Sequence, residues 1–112
     1  MVTNASYQMT CADIEEAATD ILTLIEGLDP DSYARSRLTR TTVAERLRRI
    51  ARHLALLPAE AREAMPELDW GGWSELYSAM QAGQAGVRQE WTAASEMAVL
   101  VLQWMRVYRQ PA

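Results

Sequence analysis

Residues 87–108 read VRQEWTAASEMAVLVLQWMRVY. Apolar and small side chains recur there at spacings of four and three residues, namely Val87, Trp91, Ala94, Ala98, Val101, Met105 and Tyr108. That spacing is typical of an α-helix with one buried face. Met97, Leu100 and Trp104 add a second apolar edge. Because a helix this wide in apolar surface usually packs on two sides, the pattern predicts a bundle core on one side and a dimer interface on the other.

The preceding stretch, residues 66–87, concentrates large side chains in the sequence PELDWGGWSELYSAMQAGQAGV. Asp69 can cap a helix that begins at Trp70. One face of this helix would carry Trp70, Trp73, Tyr77 and Met80. Two interpretations stay open. Either Trp70, Trp73 and Met80 form the wall of a cleft or an interface, or the helix docks into the core by its aromatic face.

Two further long helices are predicted from periodicity. The first begins at Thr10, or as early as Asn4, carries acids on its outer side and ends near Gly27. The second begins at Thr39 or Thr41 and has its apolar seam at Val43, Leu47, Ile50, Leu54 and Leu57. Residues 30–33 and 58–65 are expected to form short helical turns beside prolines.

These patterns together predict an all-α protein. No segment alternates with the period of two residues that marks a strand. We expect a single domain over residues 1–112, built as an antiparallel up-and-down bundle of four main helices plus short helical turns. The predicted core contains Val43, Leu47, Ile50, Leu54, Trp91, Ala98 and Val101.

Charge is unevenly distributed along the chain. Residues 1–31 contain seven acids and no arginine, whereas residues 35–52 contain seven arginines against Glu45 alone. Such a basic strip can meet phosphates, and its candidate phosphate-facing residues are Arg46, Arg49, Arg52 and His53. The alternative is that the arginines pair with the acids of the preceding helix.

Several functional classes are disfavoured by composition. One histidine and one cysteine cannot supply a zinc site, and no glycine-rich phosphate loop is present, so we expect no metal and no cofactor. Neither a signal peptide nor an apolar run of the roughly 20 residues needed to span a membrane occurs. With its single cysteine, Cys11, the chain is expected to be a cytoplasmic protein without membrane contact.

Several segments, in this order, resemble HepT-like proteins of the HEPN superfamily (higher eukaryotes and prokaryotes nucleotide-binding). They are DIEEA at 13–17, IL at 21–22, IEGL at 25–28, SRLTR at 36–40, VAERLRRI at 43–50, LPAEAR at 57–62 and PELDW at 66–70. The resemblance covers about residues 12–105. It implies a HEPN-like helical bundle that forms a homodimer. Family members are commonly ribonuclease toxins paired with a nucleotidyltransferase-type antitoxin.

The family's active site is an arginine, four intervening residues, a histidine, one residue and a tyrosine, facing its mate across a dimer cleft. The histidine moves protons, and the arginine stabilises charge on the phosphate. The corresponding positions here are Tyr77, Ala82 and Gln84. The resemblance therefore implies a catalytically inactive binding module that engages a nucleotidyltransferase-like partner or RNA. The alternative is an active ribonuclease with an unconventional site at His53 and the arginine strip.

Overall fold

The computed structural model describes the backbone of residues 4–109, and within this range it contains helices but no strand. The prediction of an all-helical protein is therefore confirmed for this part of the chain. In order, the elements are α1 (Asn4–Ile25), α2 (Pro30–Arg35), α3 (Arg37–Leu56), α4 (Ala59–Ala64), α5 (Trp70–Gln81), α6 (Val87–Thr92), a π-helical segment (Ala93–Met97) and α7 (Ala98–Arg109). Residues 1–3 and 110–112 of the predicted domain lie outside the described residues.

The helix ends follow local chemistry. Asp29 accepts a hydrogen bond from the Ser32 N–H at 2.7 Å, and Pro30 takes the first position of α2. Asp69 caps α5 as predicted, because its Oδ1 accepts from the Gly72 N–H at 2.9 Å. Helix α3 begins earlier than predicted, at Arg37, and the Arg40 N–H donates to the Ser36 carbonyl at 2.9 Å.

α1 packs against both α3 and α7, and α3 also packs against α5. Two side-chain contacts show the relative direction of α1 and α3. Asp13 lies near His53, with 3.9 Å between Oδ2 and Nε2, while Asp20 meets Arg46 at 3.0 Å. Because the residue number rises along α1 as it falls along α3, these two helices are antiparallel.

The core follows the predicted seams closely. Val43, Leu47, Ile50, Leu54, Ala98 and Val101 are all buried, which confirms these predictions. Trp91 was predicted in the core as well, but it is only half-buried. The correction has a packing cause: the Trp91 ring rests on the Tyr33 ring, with 5.4 Å between centroids, at the edge of the core.

The C-terminal helix is continuous but not uniform. Residues 93–97 are π-helical, and the Ala98 N–H bonds to the Ala93 carbonyl five residues earlier. A π-turn holds more residues than an α-turn, so it rotates the following residues relative to an ideal helix. The buried alanines Ala93, Ala94 and Ala98 give this segment a small cross-section against α1.

Candidate functional site

The aromatic face of α5 points mostly inward. Trp73 is 2% exposed, and Met80 is also buried, so both side chains belong to the core of the single chain. They follow the interpretation in which the helix docks by this face. Trp70 is half-buried: its Nε1–H donates to the Met65 carbonyl at 3.0 Å, and the Arg62 guanidinium lies 5.4 Å from its ring centroid.

Tyr77, Ala82 and Gln84, the three positions that the resemblance sets against the family motif, lie in the second half of α5, at its C-cap and beyond it. Tyr77 is half-buried and packs against the core, whereas Ala82 and Gln84 are exposed. The backbone around them forms a helix cap. Gly83 has φ of +69°, the Gly83 N–H donates to the Met80 carbonyl, and the Gln84 N–H donates to the Ala79 carbonyl at 2.8 Å. The positive φ gives Gly83 a structural explanation, whereas Gln84 contributes only its backbone N–H to the cap.

The predicted basic strip is partly neutralised within the chain. Arg46 pairs with Asp20 of α1 and with the adjacent Glu45, and Arg49 approaches Glu45 at 3.4 Å. The hydrogen bonds to Asp20 and then to Glu45 raise the pKa of Arg46 above its ordinary value. The alternative of pairing with the acidic first helix therefore holds for Arg46.

The other part of the strip lines an open depression of about 470 Å³ on α3. Its lining residues are Glu45, Arg48, Arg49, Arg52, His53 and Leu56. Of the predicted phosphate-facing residues, Arg49, Arg52 and His53 are brought together here, and Arg46 is not among them. Arg48 joins them because residues three, four and seven apart share a helix face. Arg48 and Arg52 are exposed, and neither makes an ion pair with a side chain that the structure describes.

A second cluster, around Tyr33, was not predicted from the sequence. Tyr33 is fully buried, and its hydroxyl donates to Glu90 Oε1 at 3.2 Å. Burial, followed by the negative charge of Glu90, raises the pKa of Tyr33 well above its ordinary range. Arg40 acts in the opposite direction on Tyr33, and its buried Nε has no hydrogen-bond partner among the described residues. Because Tyr33 and Glu90 are 57 positions apart, no local sequence pattern predicts this contact.

Beside this cluster lies a second depression, also of about 470 Å³, lined by Pro30, Asp31, Val87, Arg88 and Trp91. In the part of the chain that the structure describes, no three histidine, cysteine or acidic side chains group in a way that could hold a metal ion. Within the same residues, no helix combines the length and the apolar character needed to cross a bilayer.

Comparison with known proteins identifies no relative. No protein-family model, no curated protein and no solved structure matches the chain.

Proposed function

We propose that this chain is a HEPN-like, HepT-related binding module that has no ribonuclease activity. One observation carries the proposal: the positions aligned with the family's arginine, histidine and tyrosine hold Tyr77, Ala82 and Gln84. A methyl group and an amide cannot move a proton between RNA atoms at neutral pH, and no guanidinium replaces the missing phosphate clamp. Gly83 and the backbone N–H of Gln84 form the cap of α5.

The four main helices of the proposed HEPN-like bundle are α1, α3, α5 and the C-terminal helical run of α6, the π-helical segment and α7. Support comes from the side-chain contacts that show α1 and α3 to be antiparallel, and from the packing of α1 against α7 and of α3 against α5. The short helices α2 and α4 then correspond to connections between main helices.

The module is proposed to act as a homodimer. Leu100 and Val107 on α7 are 54% and 55% exposed, and the half-buried Met97, Trp104 and Tyr108 lie on the same helical run. We define these five residues as the outer apolar stripe. Such a stripe gains stability when a partner removes it from water. The further partner would be a nucleotidyltransferase-type antitoxin or RNA. A cytoplasmic location accords with a chain that has one cysteine, the buried Cys11.

A second candidate function is ribonuclease activity at an unconventional site. It is favoured by the depression on α3, where His53 lies beside Arg49 and Arg52. A histidine is the side chain best suited to proton transfer near neutral pH, and arginines stabilise phosphate charge.

An RNA-cleavage assay separates the two candidates. The natural chain is compared with His53→Ala and with the triple variant Tyr77→Arg, Ala82→His and Gln84→Tyr. We expect the natural chain to leave cellular RNA intact and to cause no growth arrest when overexpressed, since loss of a general acid–base group alone lowers rates by about 10²–10⁴. RNA cleavage by the natural chain that His53→Ala abolishes would establish the second candidate instead.

A further inference from the structure

The outward side of α3 carries positive charge that the chain itself does not neutralise. Glu45 and Asp20 account for Arg46, and Glu45 also accompanies Arg49. Arg48 and Arg52 remain exposed on the same helix, and no described side chain forms an ion pair with either. Being four residues apart, they lie one helical turn from each other, about 6 Å along the axis.

A further exposed arginine lies beside the C-terminal end of α3. Ala55, three residues after Arg52 and exposed, lines a crevice of about 30 Å³ together with Arg62 and Trp70. The Arg62 guanidinium lies over the Trp70 ring, and Arg62 is exposed. This cation–π contact reduces the freedom of the guanidinium while leaving its side chain accessible to solvent.

Two chemistries therefore occur on and beside the C-terminal half of α3: a pair of free guanidinium groups on α3, and the Arg62 guanidinium of α4 held over the Trp70 indole. Free arginines bind phosphate oxygens, often through two hydrogen bonds. Nucleobases stack on arginine planes and on aromatic rings when they are not already paired in a duplex. An acidic peptide would satisfy the first chemistry and leave the second unused.

We infer that Arg48, Arg52 and Arg62, with Trp70 beneath Arg62, form a binding surface for single-stranded nucleic acid. Arg48 and Arg52 contact successive phosphates, and the Arg62–Trp70 pair supports a base. The inference names a ligand for the proposed binding module, but it rests on charge and contacts and does not require a HEPN-like fold.

The net charge of the chain makes the binding test specific to the positions of the arginines. At −4 overall, the protein as a whole does not attract a polyanion, so binding depends on where the arginines lie. The double variant Arg48→Gln/Arg52→Gln is compared with Arg37→Gln/Arg88→Gln. The second variant removes the same charge from two other exposed arginines, one at the opposite end of α3 and one on α6. All four positions are solvent-exposed, and circular dichroism verifies that both variants fold.

Binding is measured by fluorescence anisotropy with a labelled oligoribonucleotide of about 12 nucleotides, at salt concentrations from about 50 to 200 mM. We expect Arg48→Gln/Arg52→Gln to weaken binding at least tenfold and to reduce the slope of log K against log salt by about 1.4, or about 0.7 per lost phosphate contact. The matched control should retain the affinity and slope of the natural chain. Equal losses in both double variants, or no binding at the lowest salt, would overturn the inference.

A third variant tests the base contact separately. Arg62→Lys keeps the charge but removes the planar guanidinium. It should weaken binding of the oligonucleotide severalfold and leave binding of inorganic polyphosphate unchanged, since polyphosphate has no bases. Equal weakening for both ligands, or no weakening for either, would contradict base stacking at Arg62. Poly-glutamate that competes as well as an oligonucleotide of equal charge would identify the surface as a site for acidic peptides and overturn the assignment to nucleic acid.

The outcome is independent of the cleavage assay. Binding without cleavage supports both the inference and the proposed inactive module. Binding with cleavage supports the inference and refutes inactivity, and absence of binding refutes the inference without restoring the lost motif.

Discussion

α3 and the C-terminal helical run both pack on α1, yet the sides that they turn away from the core differ in kind. The middle of the outer side of α3 has Glu45, Arg48 and Arg52, which water solvates at little cost, while its exposed leucines, Leu38 and Leu56, lie at the two ends of the helix. The outer side of α7 has Leu100 and Val107, which water solvates poorly. We therefore expect the two surfaces to suit different partners, a charged ligand on α3 and an apolar surface on α7.

The largest effect expected within this comparison concerns the inner side of α3. Leu47 is fully buried, whereas Leu56 on the same helix is 72% exposed. Leu47→Ala should lower the free energy of unfolding by roughly 2–5 kcal/mol, because it leaves a cavity in the core. Leu56→Ala is the matched control and should change it by less than about 0.5 kcal/mol. Urea denaturation followed by circular dichroism measures both. Equal effects of the two changes would mean that the assigned inner and outer sides of α3 are wrong.

The second prediction concerns the outer apolar stripe of the C-terminal helical run. Placing a charge in a buried interface leaves it without a partner, so Leu100→Glu/Val107→Glu should weaken the proposed homodimer by at least about a hundredfold, or about 2.8 kcal/mol. Leu38→Glu is the control, because Leu38 is even more exposed but lies on α3.

Light scattering across a concentration series measures the dimer. We expect a dimer for the natural chain and for the control at tens of micromolar, and a monomer for the double variant. A natural chain that is monomeric at that concentration would count against dimerisation, and a control that dissociates would move the interface to α3.

The buried seams could be predicted because burial follows the helical period. Leu47, Ile50 and Leu54 recur on one side of α3, and that spacing alone identifies them. The same period shows which arginines share a face. The helical period does not show that Arg46 forms an ion pair with Asp20 while Arg48 forms none with a described side chain. Those outcomes depend on a neighbouring helix.

Other features had no signal in the sequence. Apolar and small residues occur on several sides of the π-helical segment (Ala93–Met97). An extra residue in the turn therefore does not disturb the apolar spacing, which still predicts a simple α-helix. The direction of the α5 aromatic face could not be decided, because large aromatics serve both cores and interfaces. Tertiary packing, which buries Trp73 and leaves Trp70 half-buried, makes that decision.

The third prediction uses the buried hydroxyl of Tyr33, which joins α2 to the C-terminal helical run. Tyr33→Phe should lower the free energy of unfolding at neutral pH by about 1 kcal/mol, because Glu90 loses a hydrogen bond. Tyr33→Phe should also change how the free energy of unfolding decreases at alkaline pH. Since the pKa of Tyr33 is raised in the folded chain, its stabilising contribution is complete below the unfolded pKa of about 10 and is lost as pH rises beyond it.

The slope from this one phenol approaches about 1.4 kcal/mol per pH unit. The chain has no lysine, so few other groups titrate in this range. Urea denaturation at about pH 8 and about pH 11 should therefore show a smaller alkaline loss in Tyr33→Phe than in the natural chain. Tyr108→Phe, at a half-buried ring without a described hydroxyl partner, is the control. An unchanged alkaline loss in Tyr33→Phe would show that the Tyr33 hydroxyl is not held in the folded chain as described.

The smallest effect concerns the ion pair between Arg46 and Asp20, which neutralises one arginine of the basic strip. Arg46 and Asp20 are both partly exposed, so their coupling should be only about 0.2–1 kcal/mol in a double-mutant cycle with Arg46→Gln and Asp20→Asn. The coupling should decrease as salt screens the pair. The control cycle replaces Asp20→Asn with Asp13→Asn, which lies two turns away on α1 and faces His53 instead, and it should give a coupling near zero. If the Asp20 cycle also gave no coupling at low salt, the ion pair between Arg46 and Asp20 would contribute nothing in solution, and Glu45 would be the remaining acid beside Arg46.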